Sequence, residues 1–162
     1  ERRIFMAPHI HEKVDLTAEV FVVYRDKVLL RMHDKYHFWM SVGGHIEIDE
    51  DPNQAAEREV KEEVGLDVIL WSGNKKLVPE SDKYIELIPP VGINRHRVSL
   101  THEHITMIYF ATSATDKVVP EFDDDRSDEW KWCTKEDLKK MDLLPNIKFY
   151  AELALDTLGA QM

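Results

Sequence analysis

Glu59, Glu62 and Glu63 are the residues of this chain whose type and spacing point most directly to chemistry. On a helix, positions i, i+3 and i+4 share a face, which sets three carboxylates within about a turn of one another. Like charges so spaced weaken an isolated helix, and Lys61 falls on a different face where it cannot relieve them. A hard divalent cation offsets such repulsion, because Mg²⁺ takes oxygen ligands from a few carboxylates, waters and substrate phosphates. The plain alternative is a solvated acidic surface, as charge runs usually are. The flanking residues decide between the two.

The helix that must carry these carboxylates is well marked. Asp51 suits an N-cap, Pro52 the first helical position, and Gln54 completes a capping-box spacing. Ala56, Val60 and Val64 recur every four residues as an apolar stripe, and Gly65 supplies the stop. Upstream, the apolar runs 18–24 and 28–32, parted by Arg25 and Asp26, predict two strands joined by a tight turn. A short third strand over 39–42 ends at Gly43 and Gly44, where the backbone can take conformations closed to other residues. Downstream, 66–71 and 105–111 predict strands, 72–98 a long irregular excursion, and 121–128 an acidic loop. A strand over 130–133, with Trp130 and Trp132 read as core, precedes a short helix opened by Thr134 and a closing helix over 145–158. This order predicts an α/β fold with a mixed sheet between helices.

Composition narrows the class further. The 162 residues suit a single domain over 1–162, with no repeat or linker-like tract. Asp and Glu outnumber Lys and Arg 31 to 21, for a net charge of −10, which disfavours partners that need a broad basic surface. No nucleic-acid polymer or membrane is therefore expected as a partner. One cysteine, Cys133, excludes an intramolecular disulfide framework and a cysteine-rich zinc site. The chemistry expected is that of a cytoplasmic protein, monomer or homodimer, acting on a small molecule.

The segment 44–66 resembles the signature of the Nudix hydrolases, G-x5-E-x7-R-E-U-x-E-E-x-G-U, with U a bulky aliphatic residue. Gly44, Glu50, Arg58, Glu59, Val60, Glu62, Glu63, Gly65 and Leu66 match every specified position. At background residue usage, a chance match in a chain of this length is below ~1 in a million. The resemblance implies an α/β/α sandwich and Mg²⁺- or Mn²⁺-dependent hydrolysis of a nucleoside diphosphate linked to another moiety. By position, Glu59, Glu62 and Glu63 are the implied metal ligands, joined by the Gly43 carbonyl. Arg58 would orient a helix glutamate by a charge-assisted bond. Glu50 would brace the loop or hold a further ion through water. Glu59 is favoured as the base that accepts the water proton, with Glu121 and Glu129 as candidates outside the helix and Glu129 also as an extra ligand. Many relatives carry proline before the paired glycines; Val42 stands there, which bears on loop stiffness rather than on chemistry.

Other residues suit the substrate. Arg95 and Arg97, within the local basic cluster 94–97, could grip a phosphate, and Tyr36 could stack a base. His102 and His104 alternate on one strand face; strand-end histidines hydrogen-bonded near the cleft, or contacting phosphate when protonated (His104 as the substrate-binding candidate), are favoured over a second metal site of the zinc type. Cys133 reads as an inert small hydrophobe. Subfamily markers for particular leaving groups are not cleanly met, Pro79 and Tyr84 falling near but off the expected offsets. ADP-ribose-like compounds and nucleoside triphosphates both stay open. A catalytically silent nucleotide-sensing module on the same fold is the alternative.

Overall fold

A computed structural model describes residues 13–33, 36–73, 78–120 and 129–159. Its centre is a parallel pair of long strands, β1 (Val14–Tyr24) and β7 (Glu103–Ser113), in register from Val14 opposite Glu103 to Val23 opposite Thr112. Each central strand divides its outer edge between two partners. Along β1, residues 17–20 pair antiparallel with β4 (Val42–His45), and Val23 and Tyr24 pair with β2 (Lys27–Met32). Along β7, β6 (Gly92–Arg97) covers the first half and β5 (Val68–Leu70) the last residues, both antiparallel. β3 (Trp39–Met40) and β8 (Trp130–Cys133) add to β2. The sheet is mixed, as expected.

Alternation along β1 sorts its side chains between two cores. Ala18, Val20 and Val22 pack with Ala55, Ala56, Val60 and Val64 of helix α1 (Pro52–Val64). Phe21 and Val23 face the other way, onto Ile147, Ala151, Ala154, Leu155 and Leu158 of α3 (Pro145–Leu158), with Leu138 of α2 (Lys135–Lys140) beside them. The α/β/α layering follows directly. Toward the start of β1 the α3-facing positions turn polar, to Glu19, Thr17 and Asp15, and β7 does the same at Thr106 and His104. Leaving the apolar contact with α3, this end of the sheet carries polar groups that need other partners.

α1 is fixed at both ends as its sequence requires. The Asp51 carboxylate accepts the N–H groups of Asn53 and Gln54 at 2.8 and 2.9 Å, and Gln54 accepts the Asp51 N–H at 2.9 Å. Gly65 ends the helix in the left-handed region (φ 70°), donating its N–H to the Lys61 carbonyl.

Three readings are corrected. Residues 92–97 form β6 rather than irregular chain; as an outer strand it keeps most side chains exposed, so no apolar alternation betrays it. Gly43 and Gly44 lie inside β4, opposite Glu19 and Ala18, instead of ending a strand. Trp130 is 42% exposed, because β8 is a short strand that among the described residues pairs only with β2; Trp132 is half-buried and donates its indole N–H to the Asp116 carbonyl at 2.9 Å. The acidic loop 121–128, Glu121 included, lies outside the described residues.

Candidate active site

The glycines of β4 bring the helix carboxylates against the sheet. A Cβ at Gly44 would collide with the Glu59 carboxylate, so the missing side chain lets Glu59 seat there. Gly43 has φ 151°, a region L side chains rarely adopt, and a Cβ there would clash with the Ala18 carbonyl. Its N–H donates to Glu63 Oε2 at 3.0 Å, and Arg31, from the end of β2, reaches Glu63 Oε1 at 2.7 Å.

Arg58 ties the remaining carboxylates together. Its Nε and Nη2 donate to Glu50 at 3.0 and 2.6 Å, and its Nη1 to Glu59 at 3.0 Å and Glu62 at 2.9 Å. Nη2 also donates to the His45 carbonyl at 2.9 Å, pinning the strand end to the helix. Glu50 further accepts the Glu47 N–H at 2.9 Å, which closes the loop before α1. Burial works against ionising Glu50, yet the bonds from Arg58 and Glu47 outweigh it and hold this carboxyl below its ordinary range. The bonds to Glu50 and the neighbouring charges keep Arg58 firmly protonated. Burial pushes Glu59 the other way, upward; Arg58 opposes the shift and the like charge of Glu62 adds to it. Among the described residues four carboxylates thus share two guanidiniums in a partly buried place, a group with more negative than positive charge. Lys61 is spent on Asp67, at 2.9 Å.

A cleft of about 450 Å³ opens in front of Gly43 and Gly44. Arg97, His104 and Tyr36 line it; Arg95 does not, its guanidinium reaching diagonally from β6 to Glu103 of β7, the residue opposite Arg97. Tyr36 is 49% exposed and stacks on Phe38 with ring centroids 6.1 Å apart. His104 is pushed down to about 4 by burial and by the neighbouring imidazoles of His45, His96 and His102. Glu129 is exposed beside the end of β2, its carbonyl accepting the Met32 N–H at 2.8 Å; among the described residues its carboxylate makes no ion pair. Cys133 is buried and its thiol is pushed up to about 11 by burial, well away from a reactive thiolate.

The sequence reading passed over three charged residues here. Arg31, Glu19 and Asp15 each sit in or beside an apolar run, and that misfit was the signal available. Glu19 lies opposite Gly43 and keeps part of its surface open to the cleft. Protein nonetheless crowds its carboxyl closely, and desolvation pushes it upward despite the Ser41 hydroxyl at 3.1 Å and the charge of Arg31. A carboxyl raised on folding binds protons more tightly in the native state. Stability therefore falls as pH rises from the ordinary carboxylate value through the raised one, and stays lower above it. Glu19→Gln is expected to raise Tm by a few degrees at neutral pH and to lose that advantage near pH 4, measured by thermal denaturation across pH.

The NUDIX domain model matches residues 15–153. The chain belongs to the Nudix family. It is a Nudix hydrolase, an enzyme acting on phosphorus anhydrides. A NUDIX-family hydrolase from Clostridium perfringens is 37% identical, over 89% of this chain and 97% of that one, with a TM-score of 0.77. An ADP-ribose pyrophosphatase from Streptococcus suis (18% identical, 91% and 94% covered, TM-score 0.59) shares the fold. So does an Ap4A hydrolase from C. elegans (23%, 90% and 96%, 0.59). Comparison with curated proteins returns no match. No helix among the described residues is long and apolar enough to cross a membrane.

Gly44 offers a clean test of the helix–strand contact in this Nudix hydrolase. Its obstacle is the mobile end of a side chain, whereas that of Gly43 is backbone. Gly44→Ala is expected to fold normally and to lower hydrolysis about 10- to 100-fold by displacing Glu59, read by steady-state kinetics beside a melting curve.

Proposed function

We propose that this enzyme hydrolyses a diphosphate linkage in a nucleoside diphosphate derivative, ADP-ribose-like or a nucleoside triphosphate, by attack of water at phosphorus with Mg²⁺ or Mn²⁺ as cofactor. The observation that carries the reading is the gathering of Glu50, Glu59, Glu62 and Glu63 around Arg58 and Arg31, with carboxylates in excess among the described residues, beside an open cleft. That excess favours a cation, and the donors are all hard oxygens, the class Mg²⁺ and Mn²⁺ take. Glu59, Glu62, Glu63 and the Gly43 carbonyl would hold the ion, with Glu129 a further ligand from the β8 side. When bound, such an ion neutralises phosphate charge and makes water a better nucleophile.

The chain's own groups supply the rest. Arg58 fixes the orientation of Glu59 and Glu62, and Glu50 fixes Arg58; both position rather than react. Glu59, seated against Gly44 at the cleft, takes the proton of the attacking water at a carboxylate oxygen. Arg97, His104 and Tyr36 line the cleft where the nucleotide would lie. Arg95, bound to Glu103, contributes through the shape of β6 unless that pair opens. A cytoplasmic setting, with nucleotides at hand and Cys133 as a buried free thiol, suits this chemistry.

The test is a panel of diphosphate-containing nucleotides incubated with Mg²⁺ or Mn²⁺, the products separated by chromatography. Release of a nucleoside monophosphate from one class, abolished by chelator, is expected. Silence across the panel overturns the reading.

A further inference from the structure

We propose that Asp15, His102 and His104 form a second metal site, distinct from the helix carboxylates, that takes one transition-metal dication of the Zn²⁺ class. The β1–β7 register sets Asp15 directly opposite His104, and His102 lies two residues before it in the turn that leads into β7. That turn is held by the N–H groups of Val98 and Ser99, both donating to the His102 carbonyl at 2.9 and 3.1 Å. One ligand atom from each of the three side chains lies within 4.8 Å of the others. His102 Nε2 is 3.1 Å from Asp15 Oδ2, and His45 Nε2 is 3.4 Å from the same oxygen.

Chemistry selects the ligand. Asp15 is fully buried and sets a carboxyl oxygen at the floor of the cluster, a donor that suits a cation and gives a phosphate nothing to bind. His104 Nε2 is buried without a hydrogen-bond partner among the described residues, an expensive state for a nitrogen that a metal would relieve. Two imidazoles and one carboxylate are a donor set for Zn²⁺ or a neighbouring transition metal; Mg²⁺ prefers oxygen alone. Bond lengths of about 2.1 Å set tetrahedral ligand atoms about 3.4 Å apart; His102 and Asp15 already stand near that spacing, and His104 is the ligand that has to approach. His45 and His96 stand with ring centroids 5.0 and 5.5 Å from that of His104, and all three line the cleft. Of the three ligands His104 is the one that borders the cleft.

The test uses the whole protein stripped with chelator. Zn²⁺ titrated by calorimetry, and Co²⁺ followed by its visible absorption, are expected to bind with a first equivalent far tighter than Mg²⁺. The double variant His102→Gln, His104→Gln should weaken this event at least about tenfold, while Glu63→Gln retains it. The reverse pattern, or no Zn²⁺ binding, overturns the proposal. Should the double variant fail to fold, X-ray absorption at the zinc edge of the loaded wild-type protein decides. Imidazole scattering supports the site, and an all-oxygen shell overturns it.

Discussion

Glu63→Gln is expected to lower kcat for diphosphate hydrolysis by at least about 100-fold while leaving the fold intact. The substitution keeps an acceptor for the Gly43 N–H and nearly the same volume, so the strand–helix contact survives. It removes the charge that balances Arg31, at 2.7 Å, and one hard oxygen donor from the helix face. Loss of the ion pair alone predicts a Tm lower by a few degrees. Loss of a ligand predicts a shift of the Mg²⁺ dependence to higher concentration as well. Glu57→Gln makes the same charge change on the same helix, on an exposed residue outside the Arg58 network, and is expected to leave kcat unchanged. Equal turnover of Glu63→Gln and wild type would remove Glu63 from the ligand set.

The second large effect is expected at Arg58. Arg58→Met keeps a stem of similar length for packing but leaves Glu50, Glu59 and Glu62 without the cation that gathers them. These side chains are partly exposed, between 12% and 30%. The cost thus falls between that of surface pairs and that of fully buried ones, about 2 kcal/mol, and lowers Tm by several degrees. Activity falls about 100-fold or more, because Glu59 and Glu62 lose their common anchor. A divalent cation replaces part of the missing positive charge. Added Mn²⁺ or Mg²⁺ should therefore raise the Tm of Arg58→Met more than that of wild type. Melting curves with chelator and with metal check this, and a smaller gain for the variant contradicts it.

What was legible in the sequence is what short-range spacing controls. The capping box at Asp51 and Gln54, the Gly65 stop and the apolar stripe of α1 all depend on neighbours within a turn, and all appear where expected. The Nudix spacing from Gly44 to Leu66 likewise lies within one loop and helix. The rest depends on register between distant strands. Nothing local says that Asp15 faces His104, or that Gly43 faces Glu19, since those pairings follow from the whole sheet. β6 escaped notice for a related reason: an outer strand reading Gly-Ile-Asn-Arg-His-Arg buries no face that periodicity could reveal. Arg31 and Glu19 carried a signal that went unused, a charge inside an apolar strand, and each has its partner across the fold, Glu63 and Ser41.

We propose that the carboxylates on α1 form a seat for a divalent cation beside the cleft. Anomalous diffraction at the manganese edge, from crystals soaked in Mn²⁺, tests it most directly. A peak between Glu59, Glu62, Glu63 and the Gly43 carbonyl, with at least one carboxylate drawn off its arginine, is the predicted result. No peak there, with Glu63 still on Arg31 and Glu59 and Glu62 still on Arg58, would contradict it.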